Sequence, residues 1–500
     1  MDSELLGTEG VHGGNDAIVA ADDQLVCADT EREADREKNL VEVLWQTKEQ
    51  YFPWFNEWLG RVGDPRDKEQ ITYEIETLLW TGIVMYLTKQ GARRQIGARM
   101  RSGEWSRNMK ALSAQENLDR VAHGDSIEYL LRRKKSADDL EQVQANMIQA
   151  LVRKRCLESG RLLDAWYVVA IDGVHVHTFP YEHCRHCLKK TSGGKTIWVH
   201  VKLVATLVMP NGIALPMASE WIENEEQYTK QDCEWKALKR LIKKLRQFYP
   251  RLAMCVVLDS MFANDISLSL LREQRMEGII VFKEGSMPEV YTWMTTIMNV
   301  RGQGEELIRR QEQMIEERNA RSHEERLIRT NARNRTRPVV TERTYRWMKR
   351  LGHWDGKRMF NICYVKECVD GKKTCEYTWM VSNEIAEKMN AQTIEEITNY
   401  GGRLRWKIEN EDFNTQKNGG YNLEHPYSKD EVALKCWHVL LDIAHILSQL
   451  IEKGSLITIK AYGSIRNIAR VLFEHFKYLR FEIPHEKRRI QIRLAPCLPP

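Results

Sequence analysis

Three carboxylates stand where burial penalises them unless something neutralises their charge. Asp172 ends the apolar run Trp166-Tyr-Val-Val-Ala-Ile171, and Asp259 ends Met254-Cys-Val-Val-Leu258. Glu409 lies within Arg405-Trp-Lys-Ile-Glu-Asn, inside a stretch of helical periodicity. Both apolar runs are short and rich in β-branched residues, which reads as buried strand. An Asp just past a buried strand lies at a sheet rim, where α/β proteins place ligands. Two such Asp and a helix-borne Glu offer hard oxygen ligands suited to Mg²⁺ or Mn²⁺. A pair of such ions is the apparatus of in-line phosphoryl transfer. Each Asp also has an ordinary role open to it. Asp172-Gly173 is a turn dipeptide, and Asp259-Ser260 can start a helix. The occurrence of all three in this order favours the site.

The elements that must position them follow from the periodicity. Residues 1–38 are acidic, rich in Gly and Ala, and read as a disordered tail. Residues 39–165 read as a helical N-terminal region expected to bind DNA, with an amphipathic helix at Ile75–Met85. From 166 the period becomes strand-like. Trp166–Ile171, Val174–Phe179 and Trp198–Met209 read as three consecutive strands, the last ending in the turn signal Pro210-Asn-Gly212. A helix is predicted over Glu225–Tyr249, a strand over Met254–Leu258, a helix over Asn264–Gln274 and a strand over Gly278–Phe282. That order, a meander followed by parallel strands, is the order of a ribonuclease-H-like core: a mixed five-stranded sheet with flanking helices. In it the first and fourth strands are parallel neighbours, so Asp172 and Asp259 would meet at one rim.

The core is predicted to run over 166–290 and to resume over 385–455, with Glu409 in the second part. Between them, 291–384 reads as a charged insertion with a helix and strands, the latter at Met359–Glu367 and Glu376–Ser382. Residues 301–350 hold fourteen Arg and Lys against eight Asp and Glu, with seven arginines from Arg318 to Arg337. Residues 456–500 read as a basic C-terminal tail.

Net charge is +5 overall, but residues 1–38 carry eleven acidic residues against Arg32, Arg36 and Lys38, leaving +13 for the rest. A polyanion suits that balance, and so does a mildly basic protein with no such partner. Eleven scattered cysteines suit a reducing compartment rather than a disulfide framework. The acidic N-terminus has no apolar signal segment. The apolar stretch Ala433–Ile451 carries Lys435, His438, Asp442 and His445, which fits a buried helix and not a membrane span.

Three segments together resemble a known family. They are Ala170-Ile-Asp172-Gly, then Val257-Leu-Asp259-Ser-Met-Phe-Ala-Asn264, then Arg403-Leu-Arg-Trp-Lys-Ile-Glu409-Asn-Glu-Asp-Phe-Asn-Thr-Gln-Lys417-Asn-Gly-Gly-Tyr-Asn-Leu-Glu-His425. They are similar to the DDE transposases of bacterial insertion sequences, in the branch with a β-rich insertion before the catalytic Glu. Gln231-Asp-Cys-Glu234 and Glu182-His-Cys-Arg-His-Cys187 are similar to further segments of that family. The resemblance spans roughly residues 75–455. It implies that Asp172, Asp259 and Glu409 are the metal-binding catalytic residues, and that Arg405 contacts phosphate near the cut. It implies cleavage at the element's ends, transfer of the 3′-hydroxyl into target DNA, and a homodimer assembled on terminal inverted repeats. A cytoplasmic, nucleoid-associated location follows. The family often has Tyr seven before the Glu and Lys seven after it. Here those positions are Gly402 and Gln416, with Tyr400 and Lys417 out of register.

Other residues invite a DNA role. Trp406 could stack on a displaced base, or simply pack in the core. Arg93 and Arg94, Lys417, and the insertion arginines Arg318, Arg321, Arg326 and Arg329 could neutralise phosphates, or form an ordinary solvated face. Cys184 and Cys187, flanked by His183 and His186, could be half of a zinc site completed by Cys233 or His200. The rivals to a transposase are a nuclease on the same core and a domesticated DNA-binding protein without catalysis.

Overall fold

A computed structural model of the 500-residue chain describes residues 38–224, 230–299, 305–317, 335–352, 359–484 and 491–497. Ten strands form one sheet: β1 (Tyr167–Phe179), β2 (Leu188–Ser192), β3 (Lys195–Val208), β4 (Ala214–Ile222), β5 (Met254–Leu258), β6 (Glu277–Val281), β7 (Glu305–Glu317), β8 (Arg335–Gly352), β9 (Met359–Val369) and β10 (Lys373–Val381). The order is β2-β3-β1-β5-β6-β10-β9-β8-β7, with β4 also on β3. β1 pairs antiparallel with β3 and parallel with β5, and β5 pairs parallel with β6. The expected first and fourth strands are therefore neighbours.

Three sequence expectations change. Trp166–Ile171 and Val174–Phe179 are one continuous strand, because Asp172-Gly173 stays extended and pairs with Val204 and Leu203 instead of turning. β4 has no counterpart in the sequence reading, and the helix predicted over Glu225–Tyr249 is shorter. That helix begins only at Glu234 and ends at Phe248. The sheet is not five-stranded, since β10 pairs with β6 and carries the insertion's strands onto the core sheet. Most of the charge-rich stretch 301–350 that is described is a β7–β8 hairpin ladder. Arg318, Arg321, Arg326 and Arg329 lie outside the described residues, as does all of the acidic tail except Lys38.

The central strand β5, Met-Cys-Val-Val-Leu, is wholly buried, as expected of a strand covered on both faces. The Glu234–Phe248 helix packs its Leu238, Leu241, Ile242 and Leu245 stripe against β3 and β4. On the sheet's other flank the Glu431–Lys453 helix is the hub. It packs against β4 and against the helices Leu40–Tyr51, Ile75–Leu87 and Asp138–Arg153. Among the described helices it is the one long and apolar enough to cross a membrane, and 89% of its apolar window is buried inside the fold. His438 and His445 are both buried on it. The chain after 456 forms a helix at Ile465–Tyr478, in which Phe476 stacks on Trp105 at 4.5 Å. Residues 465–478, within the stretch read as a tail, are thus a packed helix.

Candidate carboxylate site

The β1–β5 register brings the two aspartates to the same level. The last pair in the ladder is Ala170↔Val257, and each Asp lies two positions further on. Neighbouring strands are about 4.8 Å apart, so the two residues follow adjacent strands at matching positions. β1 continues past this point against β3, whereas β5 ends and the chain turns into a short helix over Ser260–Phe262. Asp172 therefore sits within its strand, at the level where its β5 neighbour stops. Asp259 sits at the start of the following turn.

Glu409 arrives from the helical segment 394–418. This segment is π-helical over Ile397–Gly401, 3₁₀ over Gly402–Arg405 and π-helical again over Ile408–Phe413. Such departures from α geometry are common at functional sites. Two glycines let the segment lie down on the sheet. A Cβ at Gly401 would stand 2.5 Å from Ile279 Cδ1, and one at Gly402 would stand 2.4 Å from Trp379 Cε2. The steric demand of Trp379 on β10 explains why position 402 holds glycine and no tyrosine. Tyr400 is partly buried against the core. Gln416 is buried and donates to Asp412 and Asp442, so the position seven after Glu409 serves the core.

Arg405 joins the carboxylates. Its Nη1 donates to Asp172 Oδ2 at 3.0 Å and its Nη2 meets Glu409 Oε1 at 2.9 Å. The guanidinium is buried, and its Nε has no hydrogen-bond partner. Asp172 also accepts from Gly173 N at 2.8 Å. Burial pushes the Asp172 carboxyl up to about 6. Arg405 and the Gly173 N–H oppose that rise, and the neighbouring Glu409 carboxylate adds to it.

Sequence reasoning assigned no role to Glu234, which opens the helix after β4. A Cβ on Gly173 would lie 3.2 Å from Glu234 Oε1. Burial raises the Glu234 carboxyl, Lys190 opposes this, and the charge of Asp259 reinforces it. Glu234 is thus a fourth acid at the rim, beside Asp259. The signal available was its place in Gln231-Asp-Cys-Glu234, too short to give a position. Lys190 Nζ donates to His175 Nε2 at 2.9 Å, so a cation borders the acids on the β2 side.

The remaining expected residues are dispersed. Trp406 is exposed, with the Arg405 guanidinium over one face of its indole at 4.7 Å. Lys417 pairs with Glu424 at 2.9 Å and lies near His175. Arg93 pairs with Glu128 at 3.0 Å, while Arg94 is exposed. Both lie near His425. Cys184, Cys187, His183 and His200 converge at a separate place.

No protein-family model matches the chain, and no curated protein matches it. Among solved structures, the chain is similar to piggyBac transposase in a synaptic complex with hairpin DNA. The match covers 89% of this chain and 83% of that chain, with a TM-score of 0.39 and 10% identical residues. That degree of likeness is too slight to carry any property from one chain to the other.

Proposed function

We propose that the protein is a metal-dependent DNA transposase of the DDE type on a ribonuclease-H-like core. It would cleave DNA at the ends of a mobile element and join the freed 3′-hydroxyl to target DNA. The observation that supports this reading is that Arg405 bridges Asp172 to Glu409, while Asp259 follows the parallel neighbour strand at the level of Asp172, in the order that the resembled family uses. The strand order β4-β3-β1-β5-β6 supports the same core.

The donor set fits Mg²⁺ or Mn²⁺. All candidate ligands are carboxylates, and Asp172 holds its proton up to about 6 because burial and the Glu409 charge disfavour ionisation. A hard dication relieves both causes. Asp172, Asp259 and Glu409 would hold the metal, with Glu234 close enough to Asp259 to share the charge or orient a bound water. When bound, the metal supplies activation of the attacking oxygen and stabilisation of the leaving one. Arg405 supplies the fixed positive charge that keeps Asp172 and Glu409 side by side. Exposed Trp406 offers an aromatic face next to the acids, where an unpaired base could stack. The insertion arginines would track the duplex backbone, and a homodimer would hold two element ends. A DNA-processing role of this kind is cytoplasmic and nucleoid-associated.

The test is one gel assay with labelled end DNA, target plasmid and Mg²⁺. Joined product supports a transposase. Cut product alone would assign a nuclease, and a mobility shift with neither would assign a non-catalytic binder.

A further inference from the structure

We propose that His183, Cys184, Cys187 and His200 form a closed, structural Cys₂His₂ zinc site that clamps the β1–β2 connection onto β3. Their ligand atoms all lie within 4.8 Å of one another. Cys184 Sγ and Cys187 Sγ are 3.4 Å apart, and His200 Nε2 lies 3.6 and 3.3 Å from them. Zn–S bonds of about 2.3 Å and Zn–N bonds of about 2.0–2.1 Å give tetrahedral edges of roughly 3.8 Å for S···S and 3.5 Å for S···N. The three edges among Cys184, Cys187 and His200 already have those dimensions to within about 0.4 Å, and the His183 ligand atom lies within 4.8 Å of each.

The imidazoles are prepared for this. His200 is buried, with its Nε2 close to both thiols. His183 Nδ1 is buried and has no hydrogen-bond partner, an orphan that a metal would satisfy. Phe179 fixes both rings: it stacks on His183 at 4.3 Å and meets His200 edge-on at 6.1 Å. The other residues that sequence alone left open are turned elsewhere. His186 is held by Asn224 O at 2.7 Å and by Glu431 at 3.2 Å, and Cys233 is exposed. Binding replaces two thiol protons by Zn²⁺ and leaves a neutral complex, so the clamp forms without burying net charge.

The site is distinct from the acids. His177, which pairs with His200, is five residues beyond Asp172 on β1, about 17 Å along an extended strand. The influence of the zinc would reach the rim through the backbone. Asn224 Nδ2 donates to Cys187 O at 2.9 Å, and Asp232 N donates to Asn224 Oδ1 at 3.2 Å. Lys189 N donates to Gln231 Oε1 at 2.7 Å. The clamped loop thus holds the strand-to-helix approach that ends at Glu234. The proposal does not depend on any DNA chemistry.

The test is metal content of the full chain, purified under reducing conditions without chelator, by plasma mass spectrometry. About one zinc per chain is expected. Cys184→Ser and Cys187→Ser should each lose it, while Cys233→Ser keeps it. Cobalt substitution of the wild type should give tetrahedral d–d bands and thiolate charge-transfer absorption. Zinc should also protect Cys184 and Cys187 of the wild type from alkylation, a measurement that stands even if the variants do not fold. A zinc-free wild type, a Cys184–Cys187 disulfide in it, or zinc retained by both serine variants would overturn the proposal.

Discussion

At the scale of residues, the site balances one buried guanidinium against carboxylates that repel one another. Removing Arg405 leaves Asp172 and Glu409 adjacent without a counter-charge. Deleting one partner of a buried pair costs about 3–5 kcal/mol, and the partial exposure of these acids reduces that to on the order of 2 kcal/mol. Arg405→Met should therefore lower the denaturation midpoint in chelator, and Mn²⁺ should restore much of the loss. Stability indifferent to Mn²⁺ would mean that the acids do not share a metal. Glu234→Gln tests the fourth acid. It keeps the side chain's shape but removes the charge beside Asp259, so Mn²⁺ affinity should fall about tenfold, or about 1.4 kcal/mol. Unchanged affinity in a titration calorimeter would remove Glu234 from the site.

At the scale of elements, Glu409 is only as well placed as the segment that bears it. Gly401 and Gly402 bring this segment against β6 and β10. Gly402→Ala would force a methyl group into the Trp379 ring. Overpacking of this kind costs about 1–3 kcal/mol, measurable as a lowered denaturant midpoint, and no change would show that the segment can lift off freely. A second anchor lies beneath Glu409. Asp412 accepts from Thr206 of β3 and from Gln416, and Gln416 also reaches Asp442 of the hub helix, which pairs with Lys202. Burial first, and then the Asp442 charge, push the Asp412 carboxyl up to about 8. Because that is above its unfolded value, the stability it contributes is fully present below about pH 4 and is lost as pH rises through about 8. The protein should be less stable at pH 9 than at pH 7. Asp412→Asn, which mimics the protonated acid, should flatten that slope, and an unaltered slope would assign the loss to another group. The aspartate strands were legible in the sequence because Met254–Leu258 and Trp166–Ile171 are short apolar runs with no helical alternative. Two strand readings failed: one strand was split at Asp172-Gly173, and β4 went unread between the turn signal at 210–212 and the helix. A turn dipeptide states a preference, and only the neighbouring β3 decides whether it is used. The β7–β8 ladder was hidden because its charged side chains give no alternating apolar pattern. The bridging role of Arg405 and the position of Glu234 depend on packing between segments far apart in sequence.

At the scale of the whole molecule, the proposed carboxylate site and the joined sheet bear on assembly. The insertion's described strands extend the core sheet; the proposed DNA role of the arginines outside them is testable separately. Replacing Arg318, Arg321, Arg326 and Arg329 together should weaken binding to all DNA sequences alike. It should also flatten the salt dependence, by roughly 0.9 in log–log slope for each phosphate no longer neutralised. A slope equal to that of the wild type would release these arginines from any DNA role. If each cluster serves one element end, the cleavage-competent complex should hold two chains and two ends by solution mass. A complex of one chain and one end would favour the simple nuclease.

The most direct test is cleavage of end DNA in Mg²⁺ by Asp172→Asn, Asp259→Asn and Glu409→Gln, with DNA binding measured on the same preparations. Loss of a metal ligand removes several kcal/mol of transition-state stabilisation, and each 1.4 kcal/mol is about tenfold in rate. All three variants should bind DNA nearly as the wild type does and cleave it at least about a thousandfold more slowly. Cleavage near the wild-type rate by any one of them would exclude that residue, and by all three would contradict the carboxylate site altogether.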